Sequence, residues 1–259
     1  MQSVMRCIDL NCDLGEEAAH DAELMPLVTS ANIACGGHAG NADTMRTTVE
    51  LALRHGVAIG AHPGLEDRTN FGRRELPLTV AEAHALVLRQ IRALNRIARP
   101  CGGRIVHVKP HGALYNLAAC DAALANAVAA AVCESDPRLI LVGLAGSELL
   151  VAGRAYGLRV ASEVFADRTY QPDGSLTPRS QPDALIEDLA AVVVQVRRMV
   201  GEGMVIATDG TRVPITADTV CVHGDGPHAV EFARGLRKEL TAAGIVLRAL
   251  GFEGTRLAC

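Results

Sequence analysis

Asp9, Asn11 and Asp13 occupy every second position of the stretch Cys7 to Glu16, CIDLNCDLGE, with Ile8, Leu10, Cys12 and Leu14 on the other parity. An extended strand sends alternate side chains to opposite faces, so two carboxylates and an amide share one side, and Glu16 adds a third acid just after the strand. A carboxylate held in a pocket can take a proton from water. A lone acidic strand would also describe a solvated sheet face, but other stretches repeat the pattern. In Ile105 to His111, IVHVKPH, the residues His107, Lys109 and His111 share one side and Val106 and Val108 the other. Asn32 and His38 flank the small residues of SANIACGGHAG, and the short apolar run Val57 to Ala61 ends at His62. Glu163 and Asp167 follow in RVASEVFAD, and His223 and Asp225 end TVCVHGD. Polar groups recurring at the ends of apolar strands fit one shared pocket better than several unrelated solvated faces.

The chemistry such a set could do is water activation by carboxylate and imidazole, with an ammonium stabilising an oxyanion or holding a carboxylate. Lys109 is one of only two lysines, the other being Lys238, in a chain that otherwise writes basic charge as arginine. A compact amine is therefore expected to matter at that position. Asp with two His is also a common divalent-metal set. If a metal is present, Asp13, His38 and His62 are the expected ligands, although no helix carrying HExxH or HxxxH supports one. The loop Leu65 to Leu76 holds Arg68, Arg73 and Arg74 against Glu66, Asp67 and Glu75. It reads as a solvated mixed-charge loop, or as a flap bringing an arginine to a carboxylate or phosphate. No GxxxxGK[ST], no GxGxxG after a strand and no GxSxG elbow occurs, so a phosphate loop, a dinucleotide fold and a serine hydrolase are unsupported.

These groups need a scaffold that gathers strand ends. Helices are expected at Thr44–His55 closed by Gly56, at Thr79–Ala98 with a Thr79/Glu82 capping box, and at Asp121–Cys133. Further helices are expected up to Tyr156, from about Pro182 to Val200, and from Pro227 to Ala243. Strands fall between them, with Leu139–Leu144 fully apolar, a tight turn or hairpin at Asp209-Gly210, and a closing strand at Ile245–Leu250. Strand and helix alternate at least seven times, which implies a mainly parallel sheet, and α/β barrels place their sites at the carboxyl ends of the strands. The 259 residues, 49% hydrophobic, show no linker or composition break, so one domain spanning 1–259 is the expectation. The net charge of −4, from 25 basic and 29 acidic residues, shows no basic patch and argues against nucleic acid or an anionic membrane as partner. No apolar run approaches a membrane span and the start of the chain does not read as a signal peptide, so a cytoplasmic protein is expected. Eight cysteines without a CxxC pair read as reduced thiols.

Seven motifs, in order, resemble the LamB/YcsF family: DLNCDLGE (9–16), SANIACGGHAG (30–40), GAHPG (60–64), NFGRRE (70–75), HVKPHGALYN (107–116), EVFADRTYQPDGSLTPRS (163–180) and CVHGD (221–225). The resemblance implies an irregular (β/α) barrel of about seven strands, of the glycoside hydrolase/deacetylase type. It also implies ring opening of 5-oxo-L-proline to L-glutamate with ATP as co-substrate, in a complex with two further subunits, B and C. Phosphorylating the amide oxygen would activate C5 of this poorly electrophilic lactam toward water. The catalytic set implied is Asp13 or His62 as base, with Lys109 and His111 stabilising negative charge. Arg68, Arg73 or the Asn32 amide would hold the substrate carboxylate. Asn11, Glu16, His38, His107, Glu163, His223 and Asp225 complete the expected binding set. A divalent metal stays open, and the rival reading is a metal-dependent carbohydrate deacetylase or amidohydrolase on the same barrel. Two departures from the family pattern stand out: Asn41-Ala42 where Asp-Pro is usual after GGHAG, and Asp183 where glycine is usual.

Overall fold

The structure is a computed structural model and describes residues 6–252. Seven parallel strands close on themselves. In chain order the first six are β1 (Cys7–Leu14), β2 (Ser30–Ala34), β3 (Ala58–His62), β4 (Ile105–Val108), β5 (Ile140–Leu144) and β6 (Arg159–Phe165). A small antiparallel hairpin, β7 (Met204–Ile206) with β8 (Arg212–Pro214), precedes β9 (Thr219–Val222), which lies between β6 and β1 and closes the barrel. The turn of that hairpin is at Asp209-Gly210, as the sequence implies, with Gly210 at φ 87°. The expected closing strand is different. β10 (Val246–Leu247) pairs only with Cys7 and Ile8 at the start of β1, and closure falls to Asp9–Cys12 against Thr219–Val222.

The helices are α1 (Asp21–Leu24), α2 (Ala42–His55), α3 (Val80–Ala98), α4 (Gly112–Cys120), α5 (Ala122–Ser135), α6 (Glu148–Ala155), α7 (Leu189–Glu202) and α8 (Ala229–Ala242). Their ends follow the sequence. Thr79 and Glu82 form the reciprocal cap of α3, and Gly56 ends α2 in the left-handed conformation. Asn41 accepts from the Asp43 and Thr44 amides and so caps α2. α4 was not apparent in the sequence, because it follows the His111 site without a side-chain cap. α7 begins at Leu189, seven residues later than expected. Residues 182–188 cannot start it, because Arg168 donates to the carbonyl of Ala184 and bridges to Leu185, holding that segment as part of a loop. Asp188 then caps the helix through the Ala191 amide.

Apolar side chains fill the layer between barrel and helices, with Leu10, Cys12 and Leu14 of β1 and Leu86, Val87, Ile91 and Leu94 of α3 all buried. The inner faces of the strands are polar instead. Asp9, Asn11, Ser30, Asn32, His107, Lys109, Glu163 and Thr219 are all buried. Barrels of this kind are usually filled by layers of branched apolar side chains. Burying polar groups is costly unless they are hydrogen-bonded, and most of these are, with His107 Nδ1 and Glu163 Oε2 left without a partner. Among the described residues no single helix is long and apolar enough to cross a membrane, and α4 with α5 would qualify only as a pair bent by 117°.

Candidate active site

The lower layer of the barrel interior is a hydrogen-bond relay. Thr219 donates to Asp9 Oδ2 (2.5 Å), and Thr29 and Ser30 donate to Asp9 Oδ1 (2.7 Å each). Asn11 Nδ2 donates to Thr219 Oγ1 (2.6 Å) and to Glu163 Oε1 (2.9 Å). Asn32 Nδ2 donates to Asn11 Oδ1 (2.7 Å) and Asp13 Oδ1 (2.8 Å), and Asn32 Oδ1 accepts from His107 Nε2 (2.7 Å). The register explains these contacts. Asp13 lies opposite Asn32, Asn11 opposite Ser30 and Cys221, and Asp9 opposite Thr219. β4 carries one extra residue against Ile59 and Gly60 of β3, which sets His107 beside Gly60. A Cβ at position 60 would lie 2.0 Å from His107 Nε2, so glycine there is the room the imidazole occupies.

Lys109 sits at the head of this relay. Its ammonium is 2.9 Å from Glu163 Oε1, 3.0 Å from Asp13 Oδ1 and 3.0 Å from Cys221 Sγ, and 5.2 Å above the Phe165 ring. The lysine is 2% exposed. Burial disfavours its charge, but Asp13, Cys221 and Glu163 outweigh that and raise its pKa well above the ordinary value. Burial likewise works against the Asp13 carboxylate, yet His62 and then Lys109 hold its pKa well below the ordinary range. Burial, then Lys109, lowers His107 to about 3, so it is a neutral imidazole donating through Nε2.

Beside Asp13 lies a second cluster. His62 Nδ1 is 2.7 Å from the Lys109 carbonyl, and its Nε2 faces Asp13 Oδ2 (3.4 Å) and His111 Nδ1 (2.9 Å). His111 Nε2 is 2.9 Å from the Phe71 carbonyl. Glu16 Oε1 is 3.0 Å from His38 Nε2 and 3.2 Å from His111 Nδ1. Burial opposes charge on His62, but Asp13 and Glu16 raise its pKa, whereas burial lowers His38 to about 4. Glu16, His38, His62 and His111 together could hold a metal ion; Asp13 groups instead with Cys221 and His223.

The pocket above these groups has a volume of about 750 Å³. Asp13, His62, Lys109 and His111 reach it, and so do Arg73 and His223. The other predicted residues serve the site indirectly. Asn11, Asn32, His107 and Glu163 are buried beneath Asp13 and Lys109, and the Asn32 amide is committed to Asn11 and Asp13. Glu16 and His38 stand behind His62 and His111. Arg73 pairs with Asp225 (2.5 Å), and His223 Nδ1 with Asp167 (2.9 Å). Arg68 does not join them, because it donates to the Gly40 carbonyl (2.7 Å) and faces Glu17. Sequence reasoning missed Cys221, although it shares the parity of Thr219 and His223 in TVCVHGD. It also missed Arg179, which lines the pocket from the long loop after β6. Partial burial and the nearby Arg73 lower the Arg179 pKa, the mark of two guanidinium groups crowded at one mouth.

Residues 8–253 match the model of the LamB/YcsF family. The chain belongs to that family. It is 59% identical over 251 residues to the 5-oxoprolinase A subunit of Methylococcus capsulatus, covering 95% of this chain and 96% of that relative. It is 56% identical over 248 residues to the 5-oxoprolinase A subunit of Bacillus subtilis, covering 94% and 96%. A crystal structure of the lactam utilization protein of Thermus thermophilus superposes with a TM-score of 0.88 at 46% identity, covering 94% of this chain and 99% of that one. The catalytic domain of a peptidoglycan N-acetylglucosamine deacetylase of Eubacterium rectale superposes with a TM-score of 0.53 at 11% identity, covering 96% and 91%. That last likeness is one of fold and supports the deacetylase-type barrel expected from the motifs.

Proposed function

We propose that this chain is the A subunit of a 5-oxoprolinase and opens the lactam of 5-oxo-L-proline to L-glutamate as one barrel domain in the cytoplasm, with ATP spent by a complex that includes subunits B and C. The observation that carries the reading is the buried Asp13–Lys109 pair at the floor of a pocket, in a chain this similar to the named relatives. An amide is a poor electrophile, and phosphorylation of its oxygen makes C5 attackable. Water then adds to C5, and Asp13 takes its proton. The C5–N bond breaks, and that proton goes to the departing ring nitrogen, which becomes the amine of glutamate. The acyl phosphate left at C5 is hydrolysed by a second water to glutamate and phosphate. Lys109 faces the negative charge that builds on oxygen during addition, and its two carboxylate partners keep it charged and fixed. Arg73 and Arg179 at the mouth hold the substrate carboxylate, the task first expected of Arg68, Arg73 or Asn32. The nucleotide is bound largely by the other two subunits or at an interface shared with them.

The test is release of glutamate and ADP from 5-oxoproline and ATP, with this chain alone and with subunits B and C. Activity only in the full mixture, lost in Lys109→Ala and in Asp13→Ala with the fold intact, is expected. Near-normal turnover by both variants would remove the assigned roles. No turnover by any mixture would remove the reaction and return attention to amidated sugars, the substrates of the rival deacetylase reading.

A further inference from the structure

The ring-opening steps give no task to Glu16 and to the facing nitrogens of His62 and His111. Each imidazole has one nitrogen committed to a backbone carbonyl, His62 Nδ1 to Lys109 O (2.7 Å) and His111 Nε2 to Phe71 O (2.9 Å). A carbonyl only accepts, so those two nitrogens carry the protons. In their neutral forms His62 Nε2 and His111 Nδ1 are therefore bare lone pairs, and they point at each other across 2.9 Å. Glu16 Oε1 joins them at 3.2 Å from His111 and 3.7 Å from His62. With Asp13 Oδ2 also 3.4 Å from His62 Nε2, these atoms form a buried, acceptor-rich set that one cation would join.

We propose that Glu16 Oε1, His62 Nε2 and His111 Nδ1 form a binding site for one divalent transition-metal ion of the zinc class. The separations of 2.9, 3.2 and 3.7 Å bracket the ligand-to-ligand edge of about 3.3 Å that follows from tetrahedral bonds of about 2.0–2.1 Å. The two rings stand at 87° to each other, so one point can lie in both ring planes. Carbonyl acceptors on the distal nitrogens are the usual outer support of metal-bound histidine. His38 is excluded as a ligand, because it stacks on His111 at 3.7 Å and 4° and no ion can lie in both of those planes. It orients Glu16 instead, donating from Nε2 to Oε1 (3.0 Å). The other grouping, Asp13 with Cys221 and His223, is disfavoured because the Lys109 ammonium already touches both Asp13 and Cys221. The ion site stands independently of the reaction proposed above.

The test strips the full chain with chelator and offers Zn²⁺ or Co²⁺ alone. Elemental analysis after dialysis is expected to find one equivalent, and Co²⁺ to give a visible d–d spectrum. Glu16→Gln and His111→Gln are expected to weaken binding by at least about 100-fold, the upper end of what loss of outer support alone costs. Should His111→Gln fail to fold, His111→Cys keeps a ligand and is expected to add a thiolate-to-cobalt band. Cys221→Ser is expected to leave uptake and spectrum unchanged. The proposal fails if folded protein takes up no stoichiometric ion, which would mean that a single shared proton bridges the histidines. It fails equally if uptake survives His111→Gln and is lost in Cys221→Ser.

Discussion

Replacing Lys109 by Met removes one buried charge and strands two others. The methionine is close in volume, so cavity effects are small and the result reports electrostatics. The ammonium side chain is 3% exposed, and its partners Asp13 and Glu163 are 6% and 0% exposed. Removing one member of a buried ion pair costs about 3–5 kcal/mol, because the remaining charge is neither solvated nor neutralised. For a chain of this size that corresponds to a fall in Tm of about 6–20 °C. Glu163→Gln should cost much less, since Lys109 keeps Asp13 as partner and the new amide oxygen still accepts from Lys109 and Asn11. The triple change Lys109→Met, Asp13→Asn, Glu163→Gln should regain most of the lost stability while activity stays absent. Denaturant unfolding of the purified chain reads all three. If Lys109→Met costs less than about 1 kcal/mol, the cluster is not the charge-paired interior described above, and the roles of Lys109 and Asp13 fall with it.

Gly60→Ala places a Cβ 2.0 Å from the His107 ring that Asn32 pins, and is expected to destabilise by about 3 kcal/mol or to prevent folding, read by thermal unfolding. His107, held down at about 3 against an ordinary value near 6.5, is bare in the folded chain but takes a proton in the unfolded one, so the stability it favours is whole above pH 6.5 and lost as pH falls toward 3. At pH 5 that loss is about 2 kcal/mol, and His107→Gln should flatten the wild-type pH dependence by that amount. Asp167, whose pKa His223 lowers despite burial, stabilises the fold above its unfolded value near 4 and less as pH falls through its folded value. The cost of Asp167→Asn should accordingly be present at pH 7 and fade in chemical denaturation as the pH falls below the ordinary carboxylate value near 4. Arg179→Ala should raise KM for 5-oxoproline about tenfold or more with kcat little changed, and an unchanged KM would take the substrate carboxylate away from it.

Much of this was legible because strands impose a period of two. The alternation in β1 and in IVHVKPH puts Asp13 and Lys109 on the inner face, and the structure finds them 3.0 Å apart. What alternation could not reveal is depth. Asn11, Asn32, His107 and Glu163 look in sequence like Asp13 and Lys109, yet they lie lower in the barrel, beneath the two that line the pocket. Depth depends on register between strands distant in sequence, including the extra residue in β4. Caps were legible for α2 and α3, whose signals are local. The start of α7 was not, because a buried arginine from another segment claims the backbone that would have begun it.

The polar barrel interior also explains the chain's use of lysine. The relay from Asp9 through Thr219, Asn11 and Asn32 converges on Glu163 and Asp13, and the Lys109 ammonium lies between the two carboxyl groups. An arginine presents five donors in a rigid plane and needs acceptors around all of it. Between Asp13, Glu163 and the Cys221 sulfur there are three acceptors within about 3 Å of one point, which matches the three protons of an ammonium. Lys109→Arg should therefore behave as a structural lesion rather than a conservative change, leaving donors unpaired in the barrel. Recovery of native stability and turnover by Lys109→Arg would show that only charge, and not this three-point fit, is required.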